Sequence, residues 1–310
     1  MSTISILNAR VIDPVNKLDD ILNVFIKDGK IAEISKEIYS ADTTIDAEGM
    51  VVAPGLVDMH VHLRDPGFTD KEDIITGCNA AAAGGVTSVL AMPNTNPVTD
   101  SAEVVNYINE KAKNANARVY VAAAITKGLK SEEPTNLDEL ASAGVIALSD
   151  DGRPVENTKF LADAMIKAPQ KNMCVVAHCE DLFLADGGIM NDGEVSSQLG
   201  VKGIPAAAED AGTAREIAIA AAYNVPVHIC HVSTKTSVAL IRDAKKRGVK
   251  VTAETAPHYF SLTEKALLNR DADFRMNPPL RCDDDVTAII EGLCDGTLDA
   301  IATDHAPHTP

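Results

Sequence analysis

The chain has 310 residues, 45% of them apolar and only 4% aromatic, with a formal charge of −17. That length and apolar content suffice for a large aliphatic core, whereas the acidity excludes nucleic acid and an anionic membrane as partners, so an anionic substrate needs a local cluster of positive charge. Six cysteines (Cys78, Cys174, Cys179, Cys230, Cys282 and Cys294) without Cys-x-x-Cys spacing, together with no apolar signal segment or membrane span, point to a soluble protein of the reducing cytoplasm.

Residues 4–12 and 21–34 alternate apolar and polar positions, and Lys27-Asp28-Gly29-Lys30 supplies a hairpin turn. This predicts a small antiparallel β-rich domain over residues 1–50, taken as a β-sandwich. From residue 51 onward, short apolar strands alternate with Ala-rich helical stretches, as in βαβ units. Eight strands are predicted, over 51–62, 87–92, 118–125, 145–150, 173–178, 226–231, 250–255 and 299–304, with helices such as 70–83, 101–113, 208–223 and 235–247 between them. Eight such units make an α/β fold, a TIM-type (β/α)8 barrel over residues 51–310. Residues 182–205, rich in Gly and polar side chains, form a long loop suited to cover a barrel mouth.

The first barrel strand ends in Asp58-Met59-His60-Val61-His62-Leu63-Arg64. Strand alternation puts His60, His62 and Arg64 on one face and Met59, Val61 and Leu63 on the other. Two imidazoles that converge suit a divalent metal, and the planar Arg64 fork suits a carboxylate; the alternative is a solvated histidine pair. Asp58 shares their face, either to orient one histidine from behind or as a cap or turn residue. Other strand ends add Asn94, Asp150 and Asp151, His178, His231 and Asp304, at the barrel end where such folds carry their chemistry. Four imidazoles and the carboxylates form a ligand set for one or two ions, zinc above others, with Asp151 or Asp150 able to bridge. Alternation turns Cys179 and Cys230 away from their histidine neighbours as buried thiols. It likewise turns His228 away from His231 as a packed or surface imidazole; His305 is open between roles.

These segments, with Met92-Pro93-Asn94-Thr95, Ser149-Asp150-Asp151-Gly152, Met276-Asn277-Pro278-Pro279-Leu280-Arg281 and Asp304-His305-Ala306-Pro307-His308, resemble the amidohydrolase superfamily and, within it, the bacterial type I dihydroorotases. The resemblance covers nearly the whole chain. It implies zinc-dependent, reversible hydrolysis of dihydroorotate to N-carbamoyl-L-aspartate in pyrimidine biosynthesis, with two ions expected per subunit. Carried over residue by residue, it makes His60 and His62 ligands of one ion, His178 and His231 ligands of the other, and Asp151 the bridge, with Asp150 the alternative if the strand end carries a bulge. Asp304 contacts the first ion and shuttles the proton. His62, Arg64, Asn94, Asn277 and His308 match positions that hold substrate, its carboxylate near Arg64.

Many relatives bridge their ions with a carboxylated lysine on the fourth strand. The fourth strand here, Val145-Ile146-Ala147-Leu148-Ser149-Asp150-Asp151, has none, which sets the chain apart from hydantoinase-like enzymes. The resemblance also leaves room for a homodimer, for aspartate transcarbamoylase as a partner, and for an inactive scaffold of that partner, a class that lacks the metal ligands. Similar proteins continue past the Asp304 motif with a last barrel helix and further strands, so the chain reads as a fragment truncated at its C-terminus.

Overall fold

The computed structural model describes residues 2–309. The chain divides into two compact units, one through Leu56 and one from Val57 onward.

In the first unit, β1 (Thr3–Asp13), β2 (Leu18–Lys27) and β3 (Lys30–Ser35) form an antiparallel meander. Asp28 and Gly29 both take positive φ, 50° and 73°, the backbone that a two-residue hairpin turn requires. The chain then returns to the free edge of β1. There β4 (Thr43–Asp46) pairs parallel with its first half and β5 (Val51–Val52) parallel with its second. Two expectations are corrected here. The described strands form one five-stranded sheet of mixed sense, neither antiparallel throughout nor a sandwich. The unit also runs six residues past position 50, because β1 is long enough to hold β4 and β5 end to end. Ala9, Val11, Val24 and Ala47 make its small core.

The second unit begins within the strand β6 (Leu56–Val61) and proceeds through α1 (Ile74–Ala83), β7 (Val86–Ala91), α2 (Ala102–Ala112), β8 (Arg118–Ala123), α3 (Leu137–Ser142), β9 (Ala147–Leu148), α4 (Thr158–Lys167) and β10 (Cys174–Ala177). An excursion follows, of α5 (Leu182–Ala185), β11 (Met190–Asn191), α6 (Glu194–Leu199) and β12 (Gly203–Ile204). The barrel resumes with α7 (Ala206–Tyr223), β13 (Val227–Ile229), α8 (Lys235–Lys246), β14 (Val251–Thr255), α9 (Pro257–Ser261), α10 (Asp283–Cys294) and β15 (Ala300–Ile301). The eight strands lie in the order β6-β7-β8-β9-β10-β13-β14-β15. Val61 bridges His305 in parallel, and the His62 N–H donates to the His305 carbonyl at 2.8 Å, bringing the end of the last strand back to the first. This is the (β/α)8 barrel read from the alternating pattern.

Local chemistry explains the helix positions. Asp73 and Thr76 form a reciprocal cap on α1, and Thr234 caps α8. On α8, Val238, Ile241 and Ala244 recur at helical spacing and are buried, while Lys245 and Lys246 sit in the last turn, where positive charge suits the helix dipole. Strand alternation then sorts the core. Val89, Val121, Val175 and Val227 face the helices in one large aliphatic cluster, whereas Leu90, Ala122, Val176 and Cys230 belong to a separate cluster of strand residues inside the barrel. Among the described residues, no helix is long and apolar enough to cross a membrane. Residues 182–205, expected as a loop, carry two short helices and a two-stranded parallel sheet.

Candidate metal centre and substrate pocket

At the carboxyl ends of the barrel strands, the predicted ligands converge on Asp151. Its Oδ1 lies 3.3 Å from His60 Nε2, 3.6 Å from His231 Nε2 and 3.7 Å from His178 Nδ1, and its Oδ2 lies 3.6 Å from His62 Nε2. Asp304 adds an oxygen 3.0 Å from His62 Nε2 and 3.6 Å from His60 Nε2. Asp150 is turned away. It accepts from the Ile125 and Thr126 backbone N–H groups and from the Thr126 hydroxyl, and burial pushes its carboxyl up to about 6 against those bonds.

The donor set fits divalent ions. Two buried triads, His60–His62–Asp151 and Asp151–His178–His231, share one carboxylate, with the ligand atoms of each within 4.8 Å of one another. His60 Nε2 and Asp151 Oδ1 are buried without a hydrogen-bond partner, which is costly unless a cation meets them. Nitrogen and carboxylate oxygen together are the donor types of zinc and similar borderline metals.

The surrounding charges act strongly on one another. Burial opposes the imidazolium at His60, but Asp151 and Asp304 outweigh it and raise its pKa well above the usual value. At His178 burial is outweighed by Glu180 and Asp151, again raising the pKa. Conversely, burial opposes ionisation of Asp151 and Asp304, yet the histidines hold both carboxyls below the ordinary range. Asp304 is therefore held as a carboxylate.

Backbone conformation helps to aim these groups. Arg64, His231 and Asp304 take φ of 61°, 35° and 51°, a left-handed region unusual for residues with side chains and typical of sites where structure overrides local preference. At Gly67, φ is 95°, and a Cβ would lie 1.9 Å from the Asn96 carbonyl oxygen. Only glycine lets the turn after Arg64 dock against the loop that carries Asn94.

The predicted substrate groups separate into two sets. Arg64 and His308 meet, with Nη2 and Nε2 3.2 Å apart, and Arg64 Nε donates to the Pro307 carbonyl. His308 also borders a cavity of about 410 Å³ with Asn277, Glu180 and residues of the excursion such as Ile189 and Ile204. Asn94 is instead tied to the ligands: its Oδ1 lies 2.9 Å from His62 Nδ1 and its Nδ2 donates to Asp151 at 3.2 Å. With the His62 proton on Nδ1, Nε2 is left to face the cluster.

Several residues escaped the sequence reading. Glu180 Oε2 accepts from Asn277 Nδ2 at 3.2 Å and lies 3.3 Å from His178 Nε2, linking the pocket to the cluster. The signal was available, since Glu180 stands two positions after His178 and so on the same strand face. Arg281 is buried and donates to the Asn191 side chain and the Ile204 carbonyl, holding the excursion in place. Asp58 does not orient a histidine ring: it accepts from the Thr303 N–H at 3.0 Å and the Thr303 hydroxyl at 2.5 Å, stitching the last strand to the first. His305 turns to Glu72, at 2.8 Å. Cys230 and His228 are buried, as a packed thiol and imidazole, but instead of lying on a face away from the site they sit inside the barrel beside His60 and Glu254. The positive φ of His231 interrupts the alternation on which that expectation relied.

The chain is similar to known proteins over nearly its whole length. The sequence model of a family described as dihydro-orotase-like matches residues 49–237. The dihydroorotase of Geobacter metallireducens is 53% identical over 306 residues, covering 98% of this chain and 72% of that protein. The dihydroorotase of Geotalea daltonii is also 53% identical, over 308 residues, with 98% and 72% covered. Among solved structures, the L-hydantoinase (dihydropyrimidinase) of Arthrobacter aurescens superposes with a TM-score of 0.82 at 23% identity, over 99% of this chain and 70% of that one, a likeness of fold.

Proposed function

The chain belongs to the dihydro-orotase-like family of metal-dependent cyclic-amide hydrolases, and on that footing we propose that it is a dihydroorotase, hydrolysing (S)-dihydroorotate reversibly to N-carbamoyl-L-aspartate in pyrimidine synthesis. The observation that carries this reading is the pair of donor triads sharing Asp151, with Asp304 against one of them and the Arg64–His308 pair at the adjoining pocket.

In this reading two zinc ions are held by His60, His62, Asp151, His178, His231 and Asp304. Ions bound there supply an activated water and Lewis-acid polarisation of the ring amide carbonyl. Arg64 pairs with the substrate carboxylate through charge-assisted hydrogen bonds, and His308 and Asn277 complete the polar rim. Burial and the nearby cations Arg64 and Lys71 keep the His308 imidazole below its usual pKa, so it serves as a neutral partner at pH 7. Asn94 fixes the His62 ring and Asp151 while the substrate is held beyond them. Asp304, ionised beside His62, accepts the proton of the attacking water and delivers it to the departing ring nitrogen. In the cyclising direction the same carboxylate takes the proton from the carbamoyl nitrogen. Six unpaired cysteines suit an enzyme of the reducing cytoplasm.

A neutral hydantoin offers no carboxylate to Arg64, and an unpaired guanidinium in a half-buried site is penalised, so the clamp discriminates against it. The test is hydrolysis of L-dihydroorotate by the zinc-reconstituted chain, with a neutral hydantoin in parallel. Turnover of dihydroorotate alone is expected; turnover of the hydantoin at a comparable rate overturns the substrate assignment.

A further inference from the structure

Adjoining the cluster at His60, and outside the lining of the substrate pocket, lies a polar trio that the hydrolytic steps do not use. Glu254, on β14, is fully buried. Its Oε1 lies 3.3 Å from His60 Nδ1 and its Oε2 lies 3.3 Å from His228 Nε2. His228 Nδ1 is in turn 2.9 Å from the Thr252 hydroxyl. Both Glu254 contacts are ion-pair approaches that fall short of hydrogen-bond geometry, so the carboxylate is held by two imidazoles alone. The neighbouring Cys230 thiol does not compensate it, since burial pushes that thiol up to about 12 and keeps it neutral. A buried carboxylate persists where its neighbours satisfy it or where its charge is used.

With Glu254 ionised and both imidazoles neutral, as metal binding requires of His60, the protons have one consistent arrangement. The Thr252 hydroxyl donates to His228 Nδ1, which leaves the His228 proton on Nε2, facing Oε2. His60 then presents its proton from Nδ1 to Oε1, and its Nε2 lone pair points to Asp151 and Asp304. A metal-binding histidine needs that tautomer, and a carboxylate on the far ring nitrogen both fixes it and makes the ligand a better donor.

We propose that Glu254 and His228 are a positioning pair for His60: Glu254 fixes the His60 tautomer and ring orientation, and His228, occupying the second carboxylate oxygen, keeps Glu254 from turning away. The inference rests on the reading of His60 as a ligand. Neither residue touches substrate, and the effect reaches the reaction only through the affinity of the site that contains His60.

The experiment compares the parent chain with Glu254→Gln and His228→Gln, measuring zinc stoichiometry and affinity by chelator competition and the melting temperature of each metal-free protein. Glu254→Gln is expected to weaken one zinc site about 10- to 100-fold, and His228→Gln to weaken it by less, with metal-free melting temperatures close to the parent's. Zinc bound equally tightly by all three overturns the proposal, as does a loss confined to metal-free stability. If Cys230→Ser removes an ion together with Glu254→Gln, then His60, Cys230 and Glu254 are themselves a ligand set and the positioning role is wrong. Should the variants not fold, nitrogen-15 spectra of the histidine rings in the zinc-loaded parent decide: His60 protonated on Nδ1 sustains the proposal, and the opposite tautomer overturns it. A parent chain that binds no zinc overturns the metal reading beneath it, which separates the two failures.

Discussion

On the outward face of the barrel strands, Val61, Val89, Val121 and Val227 pack with helix residues such as Ile74 and Ile241 in one aliphatic cluster. On the inward face of β6, β13 and β14, His60, His228 and Glu254 are buried just as deeply, and each is ionisable. The two faces differ in what they contribute. Aliphatic packing is non-directional and stabilises roughly in proportion to the area removed from water. Buried charges cost stability unless paired, but they fix the direction of every lone pair and proton. One face therefore holds the barrel together while the other aims the chemistry.

The largest effect should come from the inward face. Asp304→Asn is expected to lower turnover of dihydroorotate about 10³-fold, roughly 4 kcal/mol of barrier, while zinc content measured by elemental analysis is retained. Loss of zinc in parallel would mean that Asp304 serves only as a ligand, and the shuttle role would fall. The outward face should respond in the opposite currency: Ile241→Ala, at a fully buried position of α8, is expected to cost about 2–5 kcal/mol in urea unfolding with KM and turnover per folded molecule unchanged. A kinetic change of similar size would mean that the two faces are not separable.

Arg64→Met comes next. It should raise the KM for dihydroorotate about 100-fold, near 2.7 kcal/mol, with metal content unaltered and discrimination against a neutral hydantoin narrowed. Unchanged KM would return Arg64 to a turn residue held by Pro307.

The smallest effect is a pH dependence of the metal-free protein. At His60 and His178 burial is outweighed by neighbouring carboxylates, so both folded pKa values stand above the unfolded 6.5. A raised folded value contributes stability that is complete below 6.5 and is lost as the pH rises through the folded pKa. Asp151 and Asp304, held below 3.8, contribute above that value and lose their contribution only on acidification, outside the window. The melting temperature of the metal-free chain should therefore fall from pH 6.5 upward, and zinc, which requires neutral imidazoles, should abolish the trend. Parallel curves with and without zinc would show that the cluster does not carry the charges assigned to it.

The legible part of the molecule is the part governed by short periods. Alternation along Asp58 to Arg64 places His60 and His62 together, and each barrel strand predicted from its apolar run has its counterpart within the eight-stranded sheet. Less legible were residues whose role depends on a distant segment. Asp58 meets Thr303, 245 positions away in the chain, and Glu254 meets His60 across the barrel interior. Period alone says which face a side chain takes, not how deep it lies or which strand it meets. Where the backbone leaves the regular strand, as at His231, even the face is lost.

The barrel, the residues at its strand ends and the chemistry they suit are written in the amino-acid order, because secondary structure and side-chain facing follow from local repeat and residue type. Folding in three dimensions settles the rest: that Asp151 rather than Asp150 faces the histidines, that Glu180 joins the pocket to the cluster, that the strands of the first unit form a single mixed sheet, and that Glu254 adjoins His60. Each of these is set by which segments barrel closure and sheet pairing bring within about 3–4 Å, the range of hydrogen bonds and ion pairs, and that information belongs to no single stretch of the chain.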